Sequence, residues 1–110
     1  MSGLDEIFAN MDRYASELEN KVDQAVQGAG IETEGLAKQA APVDTGRLRS
    51  SIKYTKTADL ECTVGTNVSY GPDIEYGHAT RSGSHVAARP FLFPAFVTAG
   101  QHLIDELKEL

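Results

Sequence analysis

The 110-residue sequence has no tryptophan and one cysteine, Cys62, so neither an internal disulfide nor a cysteine-built zinc cage can form. No apolar run reaches the roughly 18 residues of a membrane span. The start, Met1-Ser2-Gly3-Leu4-Asp5-Glu6, has neither the basic nor the apolar region of a secretory leader. These absences point to a chain made and kept in cytoplasm-like conditions, with no membrane partner. Positive charge is scarce, 10 Lys and Arg against 16 Asp and Glu, and the net charge of −6 repels a phosphate backbone. Direct nucleic-acid readout is therefore not expected. Internal repeats and low-complexity tracts are also missing. What is present, 41% apolar and 24% charged residues, suits one globular domain spanning residues 1–110.

The charge is unevenly spread. Residues 1–41 carry eight acids and three bases, whereas residues 42–58 carry Asp44 against Arg47, Arg49, Lys53 and Lys56. The bland reading is a solvated basic turn. The sharper one is self-complementarity, in which an acidic helix and a basic patch pair head to tail between copies and close into a ring.

Leu4, Phe8, Met11, Ala15, Leu18, Val22, Ala25 and Ala29 recur in alternating steps of four and three, the apolar stripe of a long helix. Gly28, Gly30 and Gly35 interrupt it, each costing about 1 kcal/mol inside a helix, and predict a kink or break near residue 29. Ile31, Leu36 and Ala40 resume the spacing until Pro42, which ends the element. Unbroken, this helix would measure about 55 Å, against a diameter of roughly 34 Å for a compact globule of this size. Either it bends back at the glycines or its end rests on a neighbouring subunit.

Further along, Asp44 is placed to cap a helical turn at Arg47-Leu48-Arg49-Ser50. Ile52–Lys56 and Leu60–Val64 alternate as a β-hairpin with Cys62 pointing inward beside Leu60 and Val64 as an inert thiol. Ile74 and Tyr76 sit on a short helix, residues 77–84 form a mobile loop, and His85–Arg89 form a further strand. Pro94 then opens a terminal helix with Val97, Leu103, Ile104, Leu107 and Leu110 as its stripe. The fold class that results is α+β, a long N-terminal helix and a C-terminal helix packed on a small antiparallel β-sheet.

Constellations for catalysis are weak. Asp44-Thr45-Gly46 matches the aspartic-protease tripeptide, whose two carboxylates share a proton across a dimer. Here Arg47 and Arg49 would hold such carboxylates ionised, and a protease of that kind is all-β. His78, His85 and His102 have poor spacing for a metal with Asp73 or Glu75, and read better as solvated histidines. Ser82, His85 and Asp73 lack a nucleophile elbow. Gly28-Ala29-Gly30 lacks the following lysine of a phosphate loop. No catalytic residue, cofactor or metal is expected. Phe91, Leu92, Phe93 and Phe96 read as core, or as an interface anchor on the rigid segment between Pro90 and Pro94.

Three segments carry a resemblance: Ala41-Pro42-Val43-Asp44-Thr45-Gly46-Arg47-Leu48-Arg49-Ser50-Ser51-Ile52; Val64 to Tyr70 running into Ile74-Glu75-Tyr76-Gly77; and Ala88-Arg89-Pro90-Phe91-Leu92-Phe93-Pro94-Ala95. In this order they resemble the neck, tail-completion and minor tail proteins of tailed phages. The resemblance implies a non-enzymatic virion protein, made in the bacterial host cytoplasm, that forms a ring in the neck or tail. Its implied partners are further copies of itself, the connector or head-closure proteins, and the tail-tube or terminator proteins. The motif positions are Pro42, Asp44, Thr45, Gly46, Leu48, Arg49, Tyr70, Glu75, Gly77, Arg89, Pro90, Phe91 and Pro94. Physical roles expected for them are Asp44 as turn cap, Gly46 as a backbone-permissive residue, Leu48 as core, and Arg49 as the partner of Glu75. Arg89 and Phe91 are expected to anchor the terminal helix or a neighbour. The competing functions are a dimeric protease at Asp44-Thr45-Gly46 and an assembly adaptor or chaperone that uses Phe91–Phe96 and leaves the finished particle.

Overall fold

A computed structural model describes residues 3–42, 46–80 and 82–110. Helix α1 runs unbroken over Gly3–Ala40, followed by α2 (Arg47–Ser51), strands β1 (Lys53–Ala58) and β2 (Glu61–Gly65), and α3 (Gly71–Tyr76). The short strands β3 (His78–Ala79) and β4 (His85–Val86) and helix α4 (Leu92–Lys108) complete the order. The long N-terminal helix, the C-terminal helix and the small antiparallel sheet stand as the sequence predicts.

The expected break near residue 29 does not occur, and the glycines show why. Gly28 and Gly35 lie on the exposed side of α1 with nothing within 4 Å of an added Cβ. At Gly30 a Cβ would stand 2.6 Å from Cys62 Sγ and 2.7 Å from Tyr54 Cδ2. The hairpin thus packs directly on the α1 backbone, and its contacts offset the weak helix propensity of that turn. The buried face here is Ala25, Gly30, Thr33 and Ala37, while Ile31 stays 59% exposed, so small residues replace the large stripe expected. Against them α4 buries Ala95 and Ala99, antiparallel to α1, and the side chains of Glu32 and His102 meet at 2.5 Å. Small side chains on both helices permit close approach of their axes.

β1 and β2 pair antiparallel from Lys53↔Gly65 to Ala58↔Glu61, with an irregularity between Lys56 and Ala58. Tyr54, Lys56, Cys62 and Val64 share the face turned to α1. Leu60 does not point inward with Cys62 as expected, because it occupies the turn at φ 63 and remains 43% exposed. Three side chains of α1 hold this hairpin. Asp23 Oδ1 accepts the Leu60 amide at 2.8 Å, Gln27 Nε2 donates to the Glu61 carbonyl at 3.0 Å, and Glu34 Oε2 accepts the Tyr54 amide at 2.6 Å. The Tyr54 hydroxyl also donates to Gln27 Oε1. The Leu60 amide, helped by Gln27 and Lys56, holds the Asp23 carboxyl below its usual range, and the Tyr54 amide and Lys38 do the same for Glu34. Burial, with the charge of Glu61 beside it, pushes the Cys62 thiol up.

The segment expected as a loop at 77–84 contains β3, which pairs with β4 through His78↔Val86 and Ala79↔His85. His85–Val86 thus joins its own small ribbon and not the β1–β2 sheet. Thr80 and Ser84 close the turn, the Thr80 amide donating to the Ser84 carbonyl at 2.7 Å.

The core is small: Ala37, Ala41, Leu48, Ile52, Val68, Phe91 and Ala95 are buried together, with Leu36, Val64, Tyr70, Ile74 and Leu92 packed around them. It lies entirely at the C-terminal end of α1. Residues 3–21 of α1 are all exposed, and the molecule measures 78 × 22 × 21 Å. Of the two alternatives for an overlong helix, bending back at the glycines is not adopted, and the N-terminal part of α1 projects from the body.

Candidate functional site

The three sequence motifs converge on that core. Leu48 and Ile52, from the first, are buried beside Val68 and Phe91. Gly46 at φ 73 occupies the N-cap position of α2, a left-handed conformation suited to glycine, and its carbonyl accepts from the Ser50 amide and hydroxyl at 3.0 and 2.7 Å. The N-cap position thus falls on Gly46; Asp44, expected as the turn cap, and Thr45, which with it makes up the disfavoured protease tripeptide, lie outside the described residues. Arg47 stacks over the Tyr70 ring with its guanidinium carbon 6.0 Å from the centroid. Pro42 stands two residues after Ala40, the last residue of α1.

The second and third motifs are joined through Glu75. This residue is only 7% exposed, and its carboxylate accepts the backbone amides of Phe91 at 2.7 Å, Leu92 at 3.2 Å and Phe93 at 2.8 Å. Helix α4 begins with Phe91 at its N-cap, two residues earlier than a start at Pro94. A helix leaves four amides without intrahelical partners at this end. Here Glu75 takes three, and the fourth position is Pro94, which has no amide. The negative carboxylate also sits where the helix dipole favours it. The expected Arg49–Glu75 pair is not among the ion pairs of the described residues; Arg49 Nε is buried without a partner there. The sequence pattern opens this helix at Pro94 and pairs Glu75 with Arg49, which leaves no amide for Glu75 to cap. The available signal was that Phe91 supplies no side-chain oxygen, so an acceptor had to arrive from elsewhere in the chain.

Supporting contacts position the same joint. Gly77, at φ 77, turns the chain from α3 into β3, where a Cβ would lie 2.6 Å from the Val86 carbonyl oxygen. The Arg89 amide donates to the Ile74 carbonyl at 2.8 Å, which brings Pro90 and Phe91 alongside α3. Phe91 is fully buried at the start of α4, while Arg89 is exposed.

Outside this joint the surface carries two unpartnered apolar regions. One is the projecting part of α1, with Leu4, Ile7, Phe8, Met11 and Tyr14 each at least 55% exposed. The other is on the body, where Tyr76 is 78%, Phe93 67% and Phe96 65% exposed. Of the aromatic block, then, Phe91 is core and the other two phenylalanines are surface. Val97 and Ile104, expected on the inner stripe of α4, also face outward.

Among the described residues no group of three or more His, Cys, Asp or Glu could hold a metal. Ser82 Oγ meets Thr80 Oγ1 at 2.9 Å, with no hydrogen bond to His85 among the described residues. No helix among the described residues is long and apolar enough to cross a membrane.

No curated protein and no solved structure matches the chain. Residues 5–77 match the model of the family described as "Bacteriophage HK97-gp10, putative tail-component". The match takes in α1, α2, the β1–β2 hairpin and α3, and ends two residues after Glu75, whose carboxylate holds the remaining helix in place. With about two thirds of its length so matched, the chain belongs to the HK97-gp10-like family of phage tail components.

Proposed function

We propose that this chain is a non-enzymatic structural subunit of a tailed phage or prophage virion, and that it acts as one domain that assembles with copies of itself into a ring. The ring completes the tail or joins it to the head, between connector or head-closure proteins on one side and tail-tube or terminator proteins on the other. The observation that carries this reading is the overhanging part of α1. A helix that leaves its body with an apolar stripe in water is stabilised when a neighbour covers it. Covering what remains exposed of Leu4, Phe8, Met11 and Leu18, between 36% and 61% of each, would contribute roughly 1–1.5 kcal/mol each. That is comparable to the 4–15 kcal/mol or so that association costs, so a single contact is nearly balanced and closure of a ring decides the outcome. A dimeric protease at Asp44-Thr45-Gly46 calls for an all-β chain, and this helix-dominated fold gives it no strand frame.

The test is made in a host producing the parent particle. Depleting the protein is expected to leave filled heads and complete tails that do not join, and purified particles are expected to contain it at the neck or tail end. Its absence from finished particles, with assembly still dependent on it, would support the adaptor reading instead.

A further inference from the structure

The part of α1 that leaves the body is built to meet something specific. Leu4, Phe8, Met11, Ala15 and Leu18 keep a 3.5-residue period, and Asp5, Asp12 and Glu19 follow one flank of that seam at seven-residue intervals. On the other flank at the same interval stand Ile7 and Tyr14. The arm therefore presents a wide apolar face with one acidic edge.

The body carries a face of the opposite character. The exposed rings of Tyr76, Phe93 and Phe96 line a shallow groove that reaches Gly65 and Thr66. From those two residues a second groove continues between α2 and the outer side of the hairpin, where Arg47 and Lys53 line it and no acidic residue is among its described lining. Aromatic floor and basic edge lie side by side; Glu75, which also lines the first groove, is 7% exposed and its carboxylate is taken up by the amides of α4.

We propose that the α1 arm of one copy docks on this face of a second copy, its seam on Tyr76, Phe93 and Phe96 and its acidic edge toward Arg47 and Lys53. The inference rests on the self-assembling role proposed above and names the two surfaces that carry it. A chain cannot make this contact with itself, since its arm is continuous with the body helix and projects away from it. From Leu4 to Leu18 the seam is about 21 Å long, which matches the 22 × 21 Å cross-section of the molecule and lets one arm span one neighbouring body. Arm against arm is the poorer match. An antiparallel pair sets the acidic edges against each other, and a parallel pair sets them against Ile7 and Tyr14. Arm on body is a heterologous contact, which repeats head to tail and closes as a ring when the rotation permits.

The test uses full-length protein and native mass over a concentration series, with circular dichroism confirming the fold of each variant. Asp12→Lys with Glu19→Lys, and separately Lys53→Glu alone or with Arg47→Glu, are each expected to weaken association roughly tenfold or more. Combining the arm and body reversals is expected to restore association, since the charges again oppose. Phe93→Ser with Phe96→Ser is expected to abolish self-assembly, yet an equimolar mixture with Phe8→Ser/Met11→Ser protein is expected to form heterodimers, one sound arm on one sound face. Full assembly of the Phe93→Ser/Phe96→Ser protein, or no recovery on combining the reversals, would overturn the arm-on-body contact while leaving the ring intact. A wild-type chain that is monomeric at every concentration would overturn both.

Discussion

Replacing Glu75 by alanine removes the acceptor of three amides at once, and the size of the loss follows from where each amide lies. The Phe91 amide belongs to a fully buried residue and would be left without a partner, at a cost of about 1–3 kcal/mol. Those of Leu92 and Phe93 sit nearer the surface and can be rehydrated, so their loss is chiefly the cap and dipole contribution of about 1 kcal/mol. Together Glu75→Ala should destabilise the chain by about 3 kcal/mol. For a chain of this length that lowers the thermal midpoint by roughly 12 °C. Glu75→Gln keeps one acceptor oxygen but loses the charge, and should cost about half as much. Urea unfolding at one fixed protein concentration measures both, with the midpoint falling and the slope unchanged. An alanine variant within about 0.5 kcal/mol of wild type would refute the assignment of Glu75 as the cap of α4.

The glycines of α1 are predicted to respond to alanine with opposite signs. Gly28→Ala and Gly35→Ala, with open space around the new methyl, should each stabilise by about 0.5–1 kcal/mol. Gly30→Ala, driven into Cys62 and Tyr54, should destabilise by about 1–3 kcal/mol, and the same thermal melts compare all three. Asp23 and Glu34 titrate lower in the folded than in the unfolded chain, so the unfolded state binds protons first as pH falls below the ordinary glutamate value of 4.5. Their stabilisation is thus present at neutral pH and lost through the acid range. Asp23→Asn/Glu34→Gln should melt lower at pH 7 yet show a flatter decline between pH 7 and pH 3, and an unchanged acid slope would contradict the role of both carboxylates in holding the hairpin.

Element types were legible wherever a period ran long enough. The four-and-three spacing from Leu4 marks α1, and the alternation around Cys62 marks the hairpin, because both patterns report on one face of the chain alone. What the sequence hid depends on partners distant along it. Gly30 reads as a helix breaker until the hairpin that needs its missing Cβ is in place. Glu75 reads as an ion-pair partner for Arg49 until α4 begins at Phe91 with no local cap. The aromatic block was legible only as two alternatives, core or interface anchor, since periodicity reports an apolar side of α4 but not which rings the body covers, here Phe91 and not Phe93 or Phe96. That α1 does not bend back at its glycines was not legible either, because the packing of the hairpin on Gly30, which offsets the weak helix propensity there, is tertiary.

The central claim is that the chain works by assembling with itself, and native mass measured over a concentration series tests it most directly. The account predicts a monomer that gives way, as concentration rises, to a closed multimer seen as a ring by negative-stain imaging. A mass that stays at one chain throughout the series, with the α1 arm soluble and unpaired, would contradict it.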